Sequence, residues 1–231
     1  MTVKDNLAAV REKIRQSAVR TGRSEKDVEL ILVTKNVSPA AILEAYAAGE
    51  RCFGENRVQE LIDKMEKLPR DIHWHFIGHL QTNKVKFLIS GVTLIHSIDS
   101  VRLVRALAGK AAEGKTRLPV LVQVNTSGEQ TKFGVSPEGL PDVLRAVSGE
   151  ESLDLKGLMT IGPYSDNTSV VRDAFRNLAS LRGEWKDKGF PGLSVLSMGM
   201  SHDFEIAVEE GANMVRIGTA VFGERKVNRA A

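Results

Sequence analysis

Apolar residues change their spacing along this chain in a regular order, from helical to strand-like and back. Leu7, Val10, Ile14 and Ala18 recur at helical intervals with charged residues between them, which predicts an amphipathic N-terminal helix. Thr2 and Asp5 stand where a capping box would start it. After Gly22 the pattern becomes a short apolar run, Val28 to Thr34, too brief for a helix and rich in β-branched residues. Ser38-Pro39 then offers an N-cap followed by proline at the first helical position, for a helix that runs to Ala48 and stops at Gly49. Further strands are predicted at Arg51 to Gly54, His73 to Gly78, Thr93 to Ile98, Pro119 to Asn125, Leu155 to Ile161, Leu193 to Met198 and Asn213 to Gly218. Helical patterns separate them. Ser136-Pro137 repeats the cap-and-proline start, and Val170 to Trp185 carries apolar residues at helical spacing.

The alternation amounts to eight βα units and one extra N-terminal helix within 231 residues. Right-handed parallel crossovers in that number favour a closed (β/α)8 TIM barrel of the α/β class, forming one domain over residues 1–231. If Arg51 to Gly54 is only a loop, a seven-stranded open sheet is the alternative.

Composition narrows the setting. No apolar run reaches the roughly 20 residues of a membrane span, and the polar N-terminus lacks a secretory apolar core. Asp5, Glu12 and Glu25 argue against a mitochondrial presequence. A single cysteine, Cys52, fits a reducing compartment, so a cytoplasmic protein is expected. The 32 basic and 29 acidic residues leave a net charge of +3. The basic residues are scattered, which speaks against a nucleic-acid partner. The densest basic run, Arg225 to Arg229, reads as a solvated terminus.

Barrel active sites lie at the C-terminal ends of the strands, and here those ends are polar. Lys35 ends strand 1 and shares parity with Ile31 and Val33, so its amine can face the barrel mouth. Desolvation there would favour a neutral amine able to attack an aldehyde, whereas a lysine that merely ends a strand points to water. After strands 7 and 8, Gly199 and Gly218 allow close approach of an anion, and Ser201 and Thr219 supply hydroxyls. Ser201 also fits a simple helix cap. Asp203 and Glu205 would repel a phosphate if they faced it. Arg216 shares parity with Met214 and Gly218; it can pair with Glu55 or donate to an aromatic ring nitrogen. Asn56 can cap the helix beginning at Arg57 or bind a ligand. His73, His75 and His79 invite a metal reading, but no carboxylate or cysteine cluster accompanies them in the sequence, so no metal is expected. His75 reads as barrel packing.

Taken together, these motifs resemble the YggS/PROSC family of pyridoxal phosphate homeostasis proteins across nearly the whole chain. The blocks are Leu32-Val33-Thr34-Lys35, Phe53-Gly54-Glu55-Asn56, Trp74 through Lys84, Gly157 through Ile161, Leu196 through Ser201 and Val215 through Gly223. The family resembles the barrel domain of alanine racemase. That likeness implies pyridoxal 5′-phosphate (PLP) as a Schiff base on Lys35, a phosphate held by Ser201, Gly218 and Thr219, Arg216 at the pyridine nitrogen, and Asn56 near the cofactor. Thr34-Lys35-Asn36 departs from the family's commoner Ser-Lys-Thr. The racemase also needs a tyrosine base from an additional β domain. The chain ends soon after strand 8, and neither Tyr46 nor Tyr164 matches that base. The expectation is therefore a non-catalytic, monomeric PLP carrier in vitamin B6 and amino-acid homeostasis, with PLP-requiring apo-enzymes as partners. Three alternatives stand beside it: a small racemase using Lys35 and His79, a Schiff-base aldolase acting on a phosphorylated sugar, and a scaffold without a ligand.

Overall fold

The computed structural model describes residues 2–129 and 131–224. Eight parallel strands close in sequence order: β1 (Glu29–Val33), β2 (Cys52–Glu55), β3 (His73–Phe76), β4 (Val92–Ile98), β5 (Leu118–Gln123), β6 (Leu153–Met159), β7 (Val195–Ser197) and β8 (Met214–Ile217). β1 pairs with β8, Ile31 lying opposite Arg216 and Leu32 opposite Ile217. The fold is the (β/α)8 barrel, and the open seven-stranded sheet is excluded. The segment in doubt, β2, pairs with β1 through Phe53 and Gly54 and with β3 along its whole length.

The outer layer consists of α1 (Val3–Arg20), α2 (Pro39–Ala47), α3 (Val58–Lys67), α4 (Val101–Glu113), α5 (Leu140–Ser148), α6 (Thr168–Asp187), α7 (Phe204–Glu209) and α8 (Thr219–Phe222). The capping box of α1 is formed, with Asp5 N–H donating to Thr2 Oγ1 at 3.1 Å and Thr2 N–H to Asp5 Oδ2 at 2.9 Å. Ser38 caps α2 through Ala41 N–H. Ser136 accepts from Gly139 N–H, but this opens only a turn, and α5 itself starts at Leu140. The connection after β3 is a 3-10 helix, Thr82–Phe87, and not the α-helix expected after each strand. Its buried residue Val85 and the buried C-cap Leu88 lie three apart, the period of that tighter helix.

α8 is too short to cover the barrel wall. α1 packs against α7, α8 and α2 and fills that gap, tied to α8 by Asn6 Nδ2 donating to the Val221 carbonyl at 2.9 Å. The extra helix thus completes the ring. One apolar core lies between the strands and this outer layer. A second fills the lumen with Ile31, Leu94, Leu121, Met159 and Met214. Among the described residues no helix is long and apolar enough to cross a membrane. The basic run from Arg225 to Arg229 lies outside the described residues.

Candidate functional site

A cavity of about 590 Å³ opens at the C-terminal ends of the strands, and Lys35, Asn56, Ser201, Arg216, Gly218 and Thr219 all line it. The structure brings these six residues together at one mouth of the barrel, whereas Gly199, His73 and His75 do not line the cavity. Gly78 shapes the rim, since a Cβ there would stand 2.1 Å from the Asn56 carbonyl oxygen. Only glycine lets the ends of β2 and β3 approach so closely.

Lys35 sits in the turn after β1, half-buried, and is the one lysine among the described lining residues. No hydrogen bond or ion pair to a described residue engages its ammonium. The flanking backbone is fixed from both sides. Lys64 donates to the Thr34 carbonyl at 2.6 Å, and Asn36 N–H donates to Glu60 Oε1 at 2.6 Å. Lys64 also donates to Glu60 at 2.8 Å and to Glu55 at 2.5 Å, while the Thr34 hydroxyl donates to Glu55 at 2.6 Å. Asn36 adopts φ 56°, a turn conformation that asparagine tolerates better than most residues. Burial holds the Glu55 carboxyl above its usual range, partly offset by Lys64 and Thr34. This network escaped the sequence reading, although Glu60 and Lys64 stand at the i,i+4 spacing of a helical ion pair.

Arg216 does not pair with Glu55. It donates to Ser197 Oγ on the neighbouring strand and to the Thr160 carbonyl, both at 2.7 Å, because its side chain lines the cavity whereas Glu55 is turned to Lys64 of α3. Burial lowers its pKa to about 10, with Asp203 acting in the opposite direction, so it stays cationic at neutral pH. A buried chain continues from Ser197 to His96 Nδ1 at 2.9 Å, and from His96 Nε2 to His75 Nδ1 at 3.0 Å. Burial brings His75 down to about 4 and His96 well below the usual range, so both are neutral. His96 was not singled out from the sequence. The available signal was its parity with lumen-facing Leu94 on β4.

In the same cavity Ser201 Oγ accepts from Gly218 N–H at 3.2 Å and from Ala220 N–H at 3.3 Å. Ser201 therefore caps α8 from the neighbouring loop and not its own helix, whose N-cap is Asp203. The two acidic residues beside it face elsewhere. Glu205 pairs with Lys13 at 3.0 Å on α1, and Asp203 is buried, accepting from Met200 N–H at 2.5 Å. Gly199 is a packing glycine, and the role of anion approach expected for it is not what the fold asks. Its φ is +93°, and a Cβ would lie 2.6 Å from that of Ala207. Asn56 caps nothing, because the N-cap of α3 is Arg57; its buried Oδ1 has no hydrogen-bond partner among the described residues. Over the rim, His79 stacks on Phe133 with ring centroids 4.0 Å apart and sits 3.2 Å from Asp99. Tyr46 is engaged by Asp71 at 2.8 Å, and Tyr164 is exposed beside His202.

An unpaired amine, an orphaned amide oxygen, a buried guanidinium and a hydroxyl on two backbone amides converge on one cavity. Fold and site define a barrel of the alanine racemase class, and residues 6–226 match the family model described as "Alanine racemase, N-terminal domain". The pyridoxal phosphate homeostasis protein of Aquifex aeolicus is 46% identical over 227 residues, covering 98% of this chain and 100% of its own. The chain belongs to the family of pyridoxal phosphate homeostasis proteins. PipY of Synechococcus elongatus, solved with PLP bound, has a TM-score of 0.83 and 36% identity, covering 96% of this chain and 100% of that one. Alanine racemase from Corynebacterium glutamicum, with a TM-score of 0.71 at 18% identity over 100% of this chain and 65% of that one, shares the fold alone.

Proposed function

We propose that this protein binds PLP as a Schiff base on Lys35 and serves intracellular vitamin B6 and amino-acid homeostasis as a carrier, not as a turnover enzyme. The observation that carries this reading is the unpaired Lys35 amine, its backbone clamped on both sides, in a cavity that buried Arg216 also lines. PipY, solved with PLP bound, and the name shared by the curated relatives support it. The residues fit the cofactor. The amine suits the aldehyde, the orphaned Asn56 Oδ1 offers an acceptor, and Ser201, Gly218 and Thr219 suit the phosphate. PLP supplies an aldehyde that condenses with amines and a pyridine ring that withdraws electrons.

Arg216 argues for carriage over catalysis. A guanidinium that stays cationic at neutral pH would keep a proton off a pyridine nitrogen held beside it, and so would weaken electron withdrawal by the ring. In this reading the protein is a single-domain cytoplasmic monomer that gives PLP to apo-enzymes requiring it. A racemase reading has one observation in its favour, the presence of His79 on the cavity wall. Two measurements decide. Titration with PLP should give a visible absorption band that folded Lys35→Ala lacks, and solvent deuterium should enter the α-carbon of alanine no faster than with free PLP. Enzyme-like exchange abolished by Lys35→Ala would overturn the carrier reading, and an unchanged band in that variant would overturn the linkage.

A further inference from the structure

The N-terminal mouth of the barrel holds a second cluster that PLP binding does not use. Glu29 from the start of β1, Cys52 from the start of β2 and His75 from β3 each present one donor atom, all within 4.8 Å of one another. Cys52 Sγ lies 3.2 Å from Glu29 Oε1, and His73 Nδ1 lies 3.9 Å from the same sulfur. His75 is 2% exposed; its Nδ1 is taken by His96, and its Nε2 is buried with no hydrogen-bond partner among the described residues. An orphaned imidazole nitrogen beside a thiol and a carboxylate needs an occupant, since a buried polar atom without a partner costs about 1–3 kcal/mol. Glu29 and Cys52 also line an outer cavity of about 430 Å³, which gives an ion a route in from solvent.

We propose that Glu29, Cys52 and His75 bind a zinc(II) ion, with His73 at the edge of the cluster as the fourth ligand. The donor set of sulfur, imidazole nitrogen and carboxylate oxygen suits a borderline-soft divalent ion. Tetrahedral bonds of about 2.0–2.3 Å put ligand atoms about 3.3–3.8 Å apart, so the cluster closes by about 1 Å on binding. Two of the three cations lining the outer cavity are already committed, Arg11 to Glu50 and Glu25 and Arg51 to Asp71; Lys26 is the third. Burial first, and Glu29 second, push the Cys52 thiol up to about 12. Zinc binds the thiolate, the proton passes to solvent, and one thiolate with one carboxylate neutralises the ion. Metal on His75 Nε2 leaves the proton on Nδ1, which donates to His96 Nε2, so His96 Nδ1–H donates to Ser197. The ion thereby orders the chain that ends at Arg216 in the opposite mouth.

Cobalt(II) is the probe. Cys52 is the only cysteine in the chain, so a thiolate-to-cobalt band in the near ultraviolet reports this position alone. Added cobalt(II) should give that band together with visible tetrahedral transitions, zinc(II) should bleach both, and Cys52→Ser should abolish the near-ultraviolet band. Glu29→Gln, at an exposed position that folding tolerates, should weaken zinc affinity by at least about 10-fold in competition with a chromophoric chelator. His75→Gln should do the same, checked for fold by circular dichroism. No cobalt–thiolate band in the wild-type protein, or zinc affinity unchanged in Glu29→Gln and in folded His75→Gln, would overturn the site.

Discussion

Replacing Lys64 by methionine tests whether the buried ion pair both stabilises the barrel and holds the Lys35 turn. Methionine matches the length of the side chain while removing donors to Glu55, the Thr34 carbonyl and Glu60. Glu55 is fully buried, so without Lys64 its carboxyl must take up a proton. Starting from its ordinary 4.5, that protonation costs about 4 kcal/mol at pH 7.5, at about 1.4 kcal/mol per pH unit. The figure falls in the range of about 3–5 kcal/mol for a buried pair stripped of one partner. At pH 5.5 the cost is only about 1.4 kcal/mol, and since Glu55 is already raised in the wild-type fold, the deficit of Lys64→Met should shrink by up to about 3 kcal/mol as pH falls. Lys64→Met combined with Glu55→Gln removes the carboxylate as well, leaving about 1–2 kcal/mol of lost hydrogen bonding and no such slope. Urea unfolding followed by far-ultraviolet circular dichroism at both pH values reads these differences. The single variant should also trap PLP less completely, because the Thr34 carbonyl has lost its donor. A deficit independent of pH, or a double variant no more stable than the single, would refute the reasoning.

Pyridoxal without its phosphate should bind at least about 10-fold more weakly than PLP at matched salt, because charge-assisted hydrogen bonds to an anion are the stronger kind; equal affinities by absorbance titration would count against Ser201, Gly218 and Thr219 as phosphate holders. The neutral histidine pair should make the fold acid-sensitive. His75 protonates at about 4 when folded and at the ordinary 6.5 when unfolded, so its contribution is complete above about pH 6.5 and is lost as pH falls toward 4. Between pH 7.5 and 5 that amounts to about 2 kcal/mol, and His75→Gln should flatten the slope in urea unfolding; an identical slope in the variant would contradict the assignment. Cys52→Ser is expected to leave PLP binding intact, since the sulfur lies at the other mouth of the barrel; loss of the visible band in that variant would contradict this separation of the two ends.

Much of the fold was legible because parallel strands and amphipathic helices leave opposite periodicities, and the strand ends were polar where the lumen opens. Parity put Lys35, Arg216 and Gly218 on lumen-facing positions, and all three line one cavity together with Asn56. The partners of those residues were not legible. Arg216 took Ser197 and the Thr160 carbonyl, while Glu55, one residue out of step with Gly54, is held by Lys64 of α3, a partner that the barrel's closure brings in from the outer layer. Ser201 capping α8, and Lys64 reaching the Thr34 carbonyl, are likewise contacts across long separations. The same limit hid the lower cluster. The three histidines read from β3 lacked a carboxylate and a thiol in sequence, whereas β1 and β2 bring Glu29 and Cys52 beside His75 in space.

The central claim is the linkage of PLP to one lysine, and borohydride reduction followed by peptide mapping tests it most directly. Reduction of the PLP-loaded protein should abolish the visible band and fix a phosphopyridoxyl group on the peptide containing Lys35, with no equivalent label in folded Lys35→Ala. A label found mainly on another lysine, or equal labelling of the variant, would contradict the account.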